Sequence, residues 1–97
     1  MTEPYITPRA RADLFDIWNY IAQESLSAAD RVVAELEAAM QRLAEFPRLG
    51  HRRDDVPDLQ YRFWPVYSYL IVYTPDKSPI HILRVIHGNR DVPAALK

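Results

Sequence analysis

A chain of 97 residues with 48% hydrophobic and 26% charged side chains has room for one domain, residues 1–97, with one modest core, and it is too apolar for a disordered chain. The net charge of −1 argues against strong direct nucleic-acid binding, which needs a clear excess of cations over the phosphates. The absence of cysteine excludes disulfides, thiolate nucleophiles and thiolate-held metals.

Of the 12 basic residues, 10 are arginine, whose planar fork suits carboxylates and protein interfaces better than a lysine point charge. No apolar run approaches the ~18 residues of a membrane span, and the amino terminus lacks a basic-then-apolar leader pattern. No membrane association and a cytoplasmic location are therefore expected.

Prolines at 4, 8, 47, 57, 65, 75, 79 and 93 divide the chain into readable segments, because each lacks a donor and resists helix and sheet interiors. "PYIT" predicts a short strand. Thr7 can then cap a helix whose first position is Pro8, where a missing N–H costs nothing. Ala10, Leu14, Ile17, Trp18 and Ile21 recur at helical spacing, predicting an amphipathic helix over 8–24. Asp13 and Asp16 fall on its solvated side, and Phe15 with Trp18 reads as core.

Ser27 followed by Asp30 has capping-box spacing, and Ala29, Val32, Leu36, Ala39, Leu43 and Phe46 carry a second apolar stripe up to Pro47. The short connection makes the two helices an antiparallel hairpin. After the polar loop "RLGHRRDDVPD" come "LQYRFW", "YLIVYT" and "IHILRVIH", three strands rich in β-branched and aromatic residues joined by tight turns. The expected fold is α+β: a two-layer sandwich in the order β-α-α-β-β-β, with the helical hairpin on one face of a mainly antiparallel sheet.

Strand residues alternate faces, and both faces of these strands are apolar. Assigning the aliphatic set Leu70, Val72, Leu83 and Val85 to the helices leaves Tyr69, Ile71, Tyr73, Ile82 and Ile86, with Arg84, on an open face, a pattern that marks an interaction surface. The alternative is that the tail "DVPAALK" or a second copy covers that face and that Arg84 pairs internally with Asp91 or Asp58. Gly88 and Asn89 read as a turn, since both accept positive φ, which leaves Arg84, His87 and Arg90 as the informative residues of "RVIHGNRD".

"RADLFDIWNYIAQES", "FPRLG", "YLIVY" and "ILRVIHGNRD", in this order and spacing, resemble the ParE branch of the RelE/ParE superfamily of type II toxin-antitoxin toxins. The resemblance implies a toxin neutralised by a cognate ParD-like antitoxin that would lie on Tyr69, Ile71, Tyr73, Ile82 and Ile86. It also implies a target, DNA gyrase, met through Arg84, His87 and Arg90, with no cofactor and no catalysis. The sister RelE branch cleaves ribosome-bound mRNA without a metal. Arg62 and Arg84 fall where that branch holds phosphate, with His87 as base or acid.

Against the ribonuclease alternative, Asp54, Asp55 and Asp58 offset His51, Arg52 and Arg53 where that branch carries lysines, and no tyrosine lies near the carboxyl end. The remaining alternative is a non-toxic homologue that only forms complexes. A metal site is not expected, because His81 and His87 lie about 20 Å apart along an extended strand.

Overall fold

The computed structural model describes residues 3–96. Its elements are β1 (Tyr5–Ile6), α1 (Pro8–Ala22), α2 (Leu26–Glu45), β2 (Arg62–Val66), β3 (Tyr69–Thr74), β4 (His81–His87) and α3 (Val92–Ala95). The sheet order is β1-β4-β3-β2; β1 runs parallel to β4 and the other pairs are antiparallel. The expected element order is present, with one helical turn, α3, added at the end.

Thr7 ties the first strand, the first helix and the sheet together. Its hydroxyl accepts the Ala10 N–H at 3.2 Å as the cap of α1 and donates to the carbonyl oxygens of Ile82 and Leu83 at 2.9 and 3.3 Å. Helix α2 is capped at Ser25, whose Oγ accepts from the Ala28 N–H at 3.1 Å, rather than at Ser27. The expected cap is thus two residues late.

The helix-facing side of the sheet carries Ile71, Tyr73, Ile80, Ile82 and Val85, packed on Ala10, Leu14 and Ile17 of α1 and on Leu36, Met40 and Leu43 of α2. The reverse side carries Phe63, Leu70, Val72 and Ile86, covered by Val56 from the loop before β2 and by Val92 and Ala95 of α3. This inverts the expected assignment of faces for β3. Tyr69 is half-buried against the helix-side core, Ile71, Tyr73 and Ile82 lie wholly beneath the helices, and Ile86 lies under α3. The open apolar face is absent because α3 closes it.

Strand β4 contributes to both layers through a bulge. Val72 stands opposite Arg84, but the next residue, Tyr73, stands opposite Ile82, so Leu83 is extra and the alternation of faces changes parity there. Ile82 and Val85, three apart, therefore share the helix-side core. Strict alternation cannot reveal such a switch.

Tyr73 is buried although its side chain is polar, and it remains satisfied there. The hydroxyl donates to the Pro47 carbonyl at 2.6 Å and accepts from the Gly50 N–H at 2.9 Å; burial pushes the phenol pKa up. "FPRLG" is thus the cradle of a core tyrosine. Position 50 must be glycine, because a β-carbon there would lie 2.5 Å from that hydroxyl oxygen.

Beyond Ile82, β1 no longer pairs with β4, and Asp13 of α1 takes over the exposed edge. Its carboxylate accepts the Val85 N–H at 2.9 Å and binds Arg84 in a fork, Nε to Oδ2 at 2.8 Å and Nη2 to Oδ1 at 3.2 Å. Nη1 of Arg84 donates to the Ala95 carbonyl at 2.7 Å. The two side chains are 12% and 11% exposed, so Arg84 does pair internally, but with Asp13 rather than with Asp58 or Asp91. Phe15, expected in the core, is 66% exposed, and Trp18 is half-buried with its indole N–H on Asp30 at 2.8 Å.

Two stability outcomes follow from these contacts. Tyr73→Phe leaves a buried N–H and a carbonyl unpaired and is expected to lower the unfolding free energy by about 1–3 kcal/mol, with Gly50→Ala destabilising through the clash; urea unfolding at unchanged m-value measures both. Removing one partner of a desolvated pair costs about 3–5 kcal/mol, so Asp13→Ala and Arg84→Ala are each expected to destabilise by that order, and the double variant by much less than the sum.

Candidate functional site

The residues left free by this packing gather where β4 ends. Gly88 donates its N–H to the Ser68 carbonyl at 2.7 Å, and a β-carbon at position 88 would come within 3.2 Å of that oxygen. Gly88 and Asn89 form the expected turn, but no described glycine has positive φ, so glycine at position 88 serves this close approach rather than a left-handed backbone. The Arg90 N–H then donates to the His87 carbonyl at 3.1 Å, and Asp91 caps α3 by accepting from the Ala94 N–H at 3.2 Å. His87, Asn89 and Arg90 are left exposed.

Two clefts meet at Arg90. One, of about 440 Å³, is bounded by Asp16 and Tyr20 of α1, Ser68 and Tyr69 of the β2–β3 hairpin, and His87 and Arg90. The His87 ring meets Tyr69 edge-on, with centroids 5.5 Å apart and planes at 74°. The Tyr69 phenol pKa is raised, first by burial and then by the nearby Tyr20. The other cleft, of about 500 Å³, is bounded by Arg9, Tyr61, Arg84 and Arg90 with the α3 residues Ala94 and Ala95.

Aromatic rings beside the Arg90 cation and the carboxylates of Asp13 and Asp16 form a surface suited to a protein partner, in which rings supply contact area and charges supply orientation. Phosphoryl chemistry needs convergent cations instead; Arg9, Arg84 and Arg90 line the other cleft, but the residues expected to act together do not meet there. Arg62 stands opposite Tyr73 and Arg84 opposite Val72, so the two project from opposite faces of the sheet. Arg62 is also engaged, donating from Nη1 to the Gly50 carbonyl at 2.7 Å. Arg62, Arg84 and His87 therefore do not converge.

Of the residues expected to meet a target, His87 and Arg90 share a cleft, whereas Arg84 belongs to the structural pair with Asp13. Of those expected under an antitoxin, only Tyr69 has accessible surface of any extent; the other four are core. Sequence reasoning missed Asp16 and Tyr20 as cleft walls and Asp13 as the partner of Arg84. Their spacing, i, i+3 and i+7, marks one stripe on α1, immediately beside the buried Leu14 and Ile17 and the half-buried Ile21. A polar stripe flanking the apolar one lies within reach of the sheet edge.

Among the described residues, no group of three or more His, Cys, Asp or Glu could hold a metal ion. No helix among them is long and apolar enough to cross a membrane.

Comparison with known proteins places these features in a family. The chain is 32% identical over 96 residues to toxin ParE1 of Caulobacter vibrioides, covering 97% of this chain and 98% of that one. It is 37% identical over 90 residues to toxin RelE2 of the same species, covering 93% and 99%, and 29% identical over 89 residues to toxin ParE1 of Mycobacterium tuberculosis, covering 90% of each. A chain of the chromosomal ParDE TA system from P. aeruginosa superposes with a TM-score of 0.73, covering 90% of this chain and 96% of that one at 20% identity, a likeness of fold alone. Residues 5–92 match the family described as the ParE toxin of the type II toxin-antitoxin system parDE, and with this span and these relatives the chain belongs to that family of the RelE/ParE superfamily.

Proposed function

We propose that the protein arrests growth by binding DNA gyrase through the cleft that holds His87 and Arg90, and that a cognate ParD-like antitoxin neutralises it by binding. No cofactor and no bond-breaking step enter this reading. The observation that carries it is the division of the arginines: Arg62 and Arg84 are held by internal acceptors on opposite sheet faces, whereas Arg90 is exposed beside Tyr20, Tyr69 and His87.

Within that cleft the parts have separate roles. Tyr20 and Tyr69 offer ring faces that lose little conformational freedom when covered. Arg90 offers a fork for a carboxylate of the target, and Asp16 rejects an anion from the opposite wall, which favours a protein over a nucleic acid. The loop ahead of β2 is internally neutralised as well: Arg53 binds Asp55 through two contacts of 2.9 Å, and the Arg53 fork holds the Asp55 carboxyl below its usual pKa. This loop offers little to RNA phosphates.

Ribosome-dependent mRNA cleavage is the second reading, and it draws on the likeness to the relative named RelE2. Induction of the chain alone in a bacterial host separates the two. DNA synthesis is expected to fall before protein synthesis, with gyrase-dependent DNA breaks and with relief on co-expression of the antitoxin. Early loss of translation with cleaved mRNA contradicts the proposal and supports the second reading, and unimpaired growth contradicts both. In the same assay His87→Ala and Arg90→Ala are each expected to weaken toxicity by about tenfold, at melting temperatures matching the parent because both side chains are exposed.

A further inference from the structure

Two-residue hairpin turns favour residues that accept a left-handed backbone, chiefly glycine, asparagine and aspartate. Between β2 and β3 the turn is Tyr67–Ser68, and Tyr67 holds φ at 54°, the one positive φ at a non-glycine among the described residues. A β-carbon makes that conformation costly. Core burial does not explain the choice, since Tyr67 is 60% exposed. The residue instead makes a specific contact: its hydroxyl donates to the Glu35 carboxylate on α2, with Arg31 alongside.

Ser68 is fastened from the other side, through its carbonyl to the Gly88 N–H at the end of β4. The turn is therefore anchored to α2 by one residue and to β4 by the next. Ser68 and Tyr69 form the ridge between the His87–Arg90 cleft and a neighbouring concavity of about 300 Å³ that Tyr67 itself borders. Unfavourable backbone that the surroundings hold in place concentrates at functional sites.

We propose that Tyr67 is a positioning residue for target recognition: its hydroxyl, by holding the turn against Glu35, fixes Ser68 and Tyr69 as one wall of the His87–Arg90 cleft. The proposal rests on the reading that this cleft receives the target. The left-handed backbone at position 67 is then retained for placement, at a cost in stability.

Three variants test it. Tyr67→Asn suits the left-handed backbone but is too short to reach Glu35, Tyr67→Phe keeps the ring without the donor, and Glu35→Gln keeps an acceptor oxygen. Potency is read as inhibition of gyrase supercoiling and as the inducer dose that arrests growth. Both position-67 variants are expected to be about tenfold weaker and Glu35→Gln within about twofold of the parent, while Tyr67→Asn melts no lower than the parent. Parental potency in either position-67 variant, a Tyr67→Asn protein whose lost potency accompanies a lower melting temperature, or a Glu35→Gln protein as weak as those variants overturns the proposal. An inert parent chain removes the cleft reading and this proposal with it, whereas a potent parent with potent variants removes this proposal alone.

Discussion

The carboxylate of Asp13 holds together parts of the fold that backbone pairing leaves separate. Strand β1 covers β4 only at His81 and Ile82, and the rest of that edge would face solvent with unpaired donors. Asp13 accepts from the backbone of Val85 and from both Nε and Nη2 of Arg84, and Arg84 passes the connection to the carbonyl of Ala95. Helix α1, strand β4 and helix α3 are thereby locked by one buried ion pair. A forked arginine-carboxylate pair with its other hydrogen bonds filled is the arrangement in which burial of two charges is tolerated.

That lock also fixes which face of the sheet is covered. Because Arg84 holds α3 in place, α3 stays over Leu70, Val72 and Ile86, and the reverse face of the sheet is closed. Past the end of β4 the packing leaves His87, Asn89 and Arg90 exposed, beside a cleft walled by Tyr69 of the hairpin and by Asp16 and Tyr20 of α1. Buried pairing residues and exposed cleft residues thus alternate within eight positions of sequence, and a substitution's effect depends on which of the two sets it touches.

Most of the scaffold was legible in the sequence, since helix caps and apolar stripes are local signals. Thr7 and Pro8 define the start of α1, and Pro47 follows the end of α2. The faces of the sheet were not legible. Both are apolar, so alternation carries no sign, and the bulge at Leu83 reverses parity within β4. Tyr73 belongs inside because Gly50 and Pro47 supply its polar partners, a match between residues 23 and 26 positions apart that no local window contains. The tail "DVPAALK" was readable as a possible cover for the open face, but only the fold shows that Asp91 caps a helical turn whose Val92 and Ala95 meet that face. Of the candidate site, His87 and Arg90 were readable as polar residues closing an apolar strand, whereas Asp16 and Tyr20 reach them only through the packing of α1 on β4.

A photo-reactive side chain at the exposed position 89 asks whether the surface around His87 and Arg90 meets a protein, as we propose. Irradiation of growing bacteria that carry this variant is predicted to join the chain covalently to a gyrase subunit, and to lose that product when the antitoxin is co-expressed. Covalent capture of ribosomal RNA or ribosomal proteins in its place would contradict the claim and return the cleft to RNA chemistry.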